Sequence, residues 1–188
     1  MDLIRAYEVA IKTAEQAGAL LRQGLNEFKQ VSLKSSAVDL LTQHDRASQA
    51  LITEWLQTAF PDHRLVNEEK QPDAPASAFE HVGYTWYIDP LDGTNNFAHG
   101  FPVFAVSIAL YAGERPLEAV VYDPTRDECF SALDKQGAFL RSGSVKKAIH
   151  VSQADSLINS LLATGFPDVR HDSEADNLAE FALPLGPG

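Results

Sequence analysis

Trp86-Tyr87-Ile88-Asp89-Pro90-Leu91-Asp92-Gly93-Thr94-Asn95-Asn96-Phe97 joins a β-prone apolar run to two carboxylates three residues apart. Pro90 fixes its own φ and offers no N–H, while Gly93 permits a tight reversal, so Asp89 and Asp92 are expected on one rigid turn at a strand's end. Two anionic side chains held that close repel. Either one of them takes up a proton near neutral pH or a cation lies between them, and oxygen-only ligands suit Mg²⁺ or Mn²⁺ rather than zinc. A helix opening at Gly93 or Thr94 would point free backbone N–H groups outward, which favours a phosphate there.

The rest of the chain has to support such a turn. Its 188 residues are 45% hydrophobic, enough for a real core in one compact domain or one and a fraction. Cys129 is the single cysteine, so no internal disulfide or thiolate cage can form, and burial as a small apolar side chain is expected for it. A formal charge of −11 argues against a nucleic-acid polymer as partner, because backbone binding needs clustered Lys and Arg. Met1-Asp2-Leu3-Ile4-Arg5 does not read as a secretory signal, and no uncharged run approaches the ~20 residues of a membrane span. A cytoplasmic location is the expectation.

Upstream, Leu3, Tyr7, Ala10, Ala14, Ala17, Leu21, Leu25 and Phe28 step by three and four along one helical face. Residues 31 to 45 lose that period and read as loop or a short extended piece. A second helix is expected from Asp45 to Phe60, capped by Asp45 or Thr42 and stopped by Pro61. Arg64-Leu65-Val66 is a short strand delivering Glu68 and Glu69, and residues 70 to 83 read as an exposed connection. Downstream, residues 104–111, 118–122, 128–133 and 138–141 read as a meander of antiparallel strands. Residues 147–152 and 160–164 add two more strands, and residues 173–183 a helix. Lys146-Lys147 reads as a solvated turn, and the six histidines, without metal-ligand spacing, as surface or loop residues.

Three separated segments then match one family in the right order. Residues 86–97 resemble the Asp-Pro-(Ile/Leu)-Asp-Gly-Thr-x-Asn-Phe signature of the inositol monophosphatase family, Mg²⁺-dependent and lithium-sensitive phosphatases. Val38-Asp39-Leu40-Leu41-Thr42 through Asp45 is similar to the family's Asp-Leu-Val-Thr-x-x-Asp element, and Asn67-Glu68-Glu69-Lys70 stands where it has Gly-Glu-Glu-Ser. The resemblance implies that Glu68, Asp89 and the Leu91 carbonyl hold a first Mg²⁺ (Mn²⁺ being an alternative), and that Asp89 and Asp92 share a second. It implies that Gly93 and Thr94 offer N–H groups to the phosphate, that Asp45 and Thr94 orient the attacking water, and that Lys34 is a nearby cation on the substrate side. Glu69 and Asp39 are implied behind the ligands.

The fold implied is α/β (α+β) and layered like a sugar phosphatase, a mixed, largely antiparallel sheet flanked by two long N-terminal helices. The family's later Trp-Asp-x-Ala-Gly element, whose Asp completes the second cation site, is not in these residues. The expected organisation is therefore a metal- and phosphate-binding domain over residues 1–153 and the start of a second one over 154–188, its α/β layer truncated. The expected activity is Mg²⁺-dependent hydrolysis of a small phosphorylated metabolite, inositol monophosphate first. Alternatives are a fructose 1,6-bisphosphate, histidinol phosphate or 3′-phosphoadenosine nucleotide substrate, or a noncatalytic metal-binding remnant. A homodimer is among the expected forms.

Overall fold

The structure is a computed structural model that describes residues 1–28, 37–67 and 83–163, with side chains except those of residues 26–28 and 37–42. The chain divides into two units, Met1–His150 and Val151–Gly188. In the first unit, α1 (Leu3–Phe28) follows the expected period. Asp2 caps it by accepting the Arg5 N–H at 3.0 Å. Ala10, Ala14, Ala17 and Leu21 are fully buried, and the small alanines let the helix lie close to the sheet.

The second helix, α2, spans Ala37–Ala59, so residues 37 to 45 are helical rather than loop. Its buried face explains the difference. His44, Ser48, Ile52 and Leu56 recur every four residues and are all buried, but two of the four are polar, which hides the helical period from a reading of hydrophobicity. Asp45 consequently stands inside the helix and not at its cap. Residues 31–36 lie outside the described residues.

Among the described residues, seven strands form one sheet whose spatial order is their chain order. β1 (Arg64–Asn67) runs parallel to β2 (Tyr84–Asp92), and β3 (Ala105–Ala112), β4 (Arg115–Asp123), β5 (Glu128–Leu133), β6 (Gly137–Ser142) and β7 (Val145–Ile149) follow as an antiparallel meander. This is the mixed, largely antiparallel sheet expected, with both long helices on one face. Trp86, Ile88, Val106, Ile108, Leu110 and Val120 alternate into that face and are at most 3% exposed. On the other face, Val121 and Phe130 are directly paired across β4 and β5 and remain more than a third exposed.

Two histidines make internal contacts: His44, expected at the surface or in a loop, is buried on α2, while His63, in the connection before β1 as a loop residue, is partly buried. His63 accepts the Trp86 Nε1–H at 3.0 Å and stacks on Phe60 with ring centroids 4.9 Å apart. Burial lowers its pKa, although the nearby Asp62 acts in the opposite direction. His44 lies against Gly24 of α1, where a Cβ would come within 2.6 Å of its ring. Neither burial is visible in local sequence, because each depends on a residue brought in from another element. Lys146 belongs to β7 and not to a turn, its ammonium 4.3 Å from the centre of the Phe139 ring.

The Gly24 contact makes a testable case of overpacking. Alanine gains about 1 kcal/mol of helix propensity over glycine, but displacing the His44 ring in a packed interface costs about 1–3 kcal/mol. We expect Gly24→Ala to lower the melting temperature in the wild-type background and to raise it when His44 is also alanine. A thermal-melt cycle over the four proteins measures this, and equal effects in both backgrounds would show that the two residues do not press on each other.

Among the described residues of the second unit, a 3-10 turn spans Leu157–Asn159. Residues 160–163 form no strand, contrary to expectation. Ile158, Leu161 and Leu162 are apolar but exposed, and strand pairing requires a neighbour that apolar composition alone does not supply. Residue 164 and the helix expected at 173–183 lie outside the described residues.

Candidate active site at the end of the second strand

The sequence Tyr84–Ile88 is aromatic and β-branched, and it fills a central strand paired on both sides, with β1 and β3. At Asp89 the ladder changes. Asp89 lies opposite Ser107, and the next pair is Asp92 opposite Ala105, so three steps on β2 match two on β3. The expected tight turn is therefore a β-bulge within the last residues of the strand. Pro90 accounts for it, since a residue without an N–H cannot continue the ladder.

Local hydrogen bonds set the shape of the bulge. The Asp89 carboxylate accepts the Leu91 N–H at 3.1 Å, and the Ser48 hydroxyl of α2 donates to the Pro90 carbonyl at 2.9 Å. Gly93 follows with φ +90°, and a Cβ there would sit 3.0 Å from the Val103 carbonyl oxygen. Both the left-handed backbone and the close approach demand glycine. The short helix α3 (Thr94–Ala98) then begins, with the Phe97 N–H on the Gly93 carbonyl at 3.0 Å.

Phe97 anchors this helix. It is fully buried, edge-on to Phe104 at 5.1 Å between centroids, with the His44 ring 6.0 Å away. Asn96 Nδ2 donates to the Val103 carbonyl at 2.8 Å and ties α3 to the chain leading into β3.

The expected site residues group as follows. Asp89 is half-buried and lines a cavity of about 260 Å³ with Val66, Tyr87, Ser107 and Ala109. Asp92 and Gly93 line a neighbouring cavity of about 300 Å³ with Asn96, Asp123 and Phe130. Leu91 is 3% exposed and Thr94 is exposed at the first position of α3. Asp45, 5% exposed, lies on α2 three residues before Ser48 and so on the same side of that helix as the bond to the bulge. Glu68, Glu69 and Lys34 lie outside the described residues, as does the side chain of Asp39. A cavity of about 770 Å³ along Arg46, Gln49, Thr53 and Gln57 of α2 contains none of these groups. The expected carboxylates Asp89 and Asp92 line the two smaller cavities instead.

Three contributors were not singled out from sequence. Ser48 acts through a tertiary hydrogen bond that leaves no local trace, and Asn96, which stands within the quoted signature, acts through a bond to Val103 seven residues on. Asp123 faces the Asp92 cavity. Burial would raise its pKa, but bonds from the Thr125 hydroxyl and N–H and from Arg126 outweigh that and keep it below the usual carboxylate value. The Asp123-Pro124-Thr125 run was the available signal, since an Asp two residues before a donor often forms such a turn.

The donor set suits a hard cation. Asp89 and Asp92 would offer it carboxylate oxygens at the two smaller cavities. Among the described residues no three His, Cys, Asp or Glu side chains converge. The oxygens present fit Mg²⁺ or Mn²⁺, which retain several waters and need few protein ligands.

Comparison with known proteins gives a consistent set of similarities. A model of the inositol monophosphatase family matches residues 2–184. Inositol monophosphatase 2 of Solanum lycopersicum is 41% identical over 157 residues, which cover 84% of this chain and 57% of that protein. Among solved structures, the inositol monophosphatase of Anabaena (Nostoc) sp. PCC 7120 superposes with a TM-score of 0.75 at 33% identity, covering 96% of this chain and 61% of the other. SaIMPase-II with inositol monophosphate bound superposes with a TM-score of 0.59 at 28% identity, covering 75% and 48%. The chain spans somewhat more than half the length of the curated relatives it matches.

Proposed function

The chain belongs to the inositol monophosphatase family, and on that ground we propose that it supplies the metal- and phosphate-binding part of a Mg²⁺-dependent phosphatase acting on small phosphate monoesters, inositol monophosphate first. The observation that carries this reading is the β2 bulge, in which Asp89 is held by a backbone N–H one step before Asp92 and the left-handed Gly93. Asp89, Asp92 and the Leu91 carbonyl would hold the cation, joined by Glu68. When bound, Mg²⁺ makes a water nucleophilic near neutral pH and neutralises charge on the phosphoryl oxygens.

The remaining work falls to the chain's own groups. Gly93 and Thr94 orient the phosphate through backbone N–H groups at the start of α3. Thr94 and the buried Asp45 align the attacking water and accept its proton. The water oxygen bonds to phosphorus as the ester P–O bond breaks, and the departing alkoxide leaves as the alcohol after taking up a proton. No covalent enzyme intermediate is needed. The net charge of −11 makes the cation essential to attract an anionic substrate.

A substrate panel tests this. The purified protein is expected to release phosphate from inositol monophosphate faster than from fructose 1,6-bisphosphate, histidinol phosphate or a 3′-phosphoadenosine nucleotide. The release should depend on Mg²⁺ or Mn²⁺ and be suppressed by lithium. Cation binding without hydrolysis of any member would favour a noncatalytic role, and cation-independent hydrolysis would overturn the mechanism.

A further inference from the structure

The Pro90–Leu91 peptide is anchored at both of its polar atoms. Its carbonyl accepts the Ser48 hydroxyl at 2.9 Å and its N–H donates to Asp89 Oδ1 at 3.1 Å. Neither Pro90 nor Leu91 has a partner in the β2–β3 register, so the ladder gives this peptide no support. The proline ring locks φ of residue 90. The freedom left is ψ of Pro90 and φ of Leu91, the two angles that together rotate this one peptide plane. Such a rotation would carry the Leu91 N–H away from Asp89 and break that bond to the carboxylate.

Ser48 opposes that rotation from outside the strand. It is fully buried on α2, and its hydroxyl is committed to the Pro90 carbonyl. We infer that Ser48 is a positioning residue: through the Pro90–Leu91 peptide it holds the Asp89 carboxylate in the orientation presented to the cation. This rests on the cation site proposed above. The same helix carries Asp45 three residues earlier, so one rigid element sets both the carboxylate that meets the cation and the one that meets the water.

The test compares Ser48→Ala and Ser48→Thr with the wild type, first without cation. By amide hydrogen exchange, Ser48→Ala should speed exchange at Leu91 about tenfold, the scale of one lost buried hydrogen bond, while the neighbouring β2 amides keep their protection. By calorimetry, its Mn²⁺ affinity should fall about five- to tenfold, and Ser48→Thr, which retains the hydroxyl, should restore both readings. Faster exchange throughout α2 and β2 with unchanged Mn²⁺ affinity would overturn the proposal and leave Ser48 a packing residue. A wild type that binds no Mn²⁺ would remove the cation site itself, and the positioning role with it.

Discussion

Asp89→Asn should abolish measurable Mg²⁺ or Mn²⁺ binding and lower cation-dependent phosphate release on the order of 10³-fold. That exceeds the 10- to 100-fold typical when a ligand loses only an outer partner, because the substitution removes the charge of a carboxylate proposed to meet the cation itself. The fold should survive. Asparagine keeps an oxygen that can accept the Leu91 N–H, the bond that Asp89 makes in the bulge at 3.1 Å, so the change removes charge without removing shape. Calorimetric titration together with a thermal melt separates the two effects. Undiminished Mn²⁺ binding in a folded Asp89→Asn protein would take Asp89 out of the site.

Glu118 should produce the largest change in stability. It stands on β4 opposite Leu110 and Leu133, is 3% exposed, and neither carboxyl oxygen has a hydrogen-bond partner among the described residues. Burial pushes its pKa from 4.5 up to about 8. In the unfolded chain the group ionises above about pH 4.5, while the folded protein keeps its proton until about pH 8. Between those values the folded state binds more protons, so stability falls as pH rises and levels off above the folded pKa. The gap corresponds to a cost on the order of 4 kcal/mol at pH 8.

Glu118→Leu should therefore raise the melting temperature by roughly 10 °C at pH 8, with a gain that shrinks as the pH falls toward 4.5. Glu118→Gln removes the titration but leaves a buried amide, so it should flatten the pH dependence with a smaller gain. A wild-type pH profile parallel to that of Glu118→Gln across this range would mean that Glu118 finds a partner in solution.

Much of this architecture is readable from sequence because its causes are local. The α1 face follows from apolar residues at helical spacing, and the meander from short alternating runs separated by turn residues. Pro90 and Gly93 announce an irregular backbone, since each restricts or permits conformations whatever surrounds it. That the irregularity is a bulge depends on the register of β3, which no feature of residues 86–97 encodes. The start of α2 was obscured for a similar reason. His44 and Ser48 are polar in isolation and become core positions only when Gly24 and the Pro90 carbonyl arrive from elsewhere. Asp89, Asp92 and Gly93 could be singled out by type and spacing, whereas Ser48 matters through a partner distant in sequence and Asp123 through the shape of a cavity.

The sequential order of the seven strands also bears on how the molecule acquires its structure. Each antiparallel strand pairs with its neighbour in the chain, so the meander can zip up hairpin by hairpin at low loop-closure cost. Helix α1 cannot join so cheaply. Its Tyr7 hydroxyl meets Ser131 at a separation of 124 residues, and Glu15 pairs with Arg141 across 126. At ~5–20 residues per second of synthesis, the apolar face of α1 waits on the order of ten seconds for the strands that will cover it. During that interval α2 is its nearest native neighbour, and the helical pair rather than the sheet is the part of the nascent chain most in need of protection from aggregation.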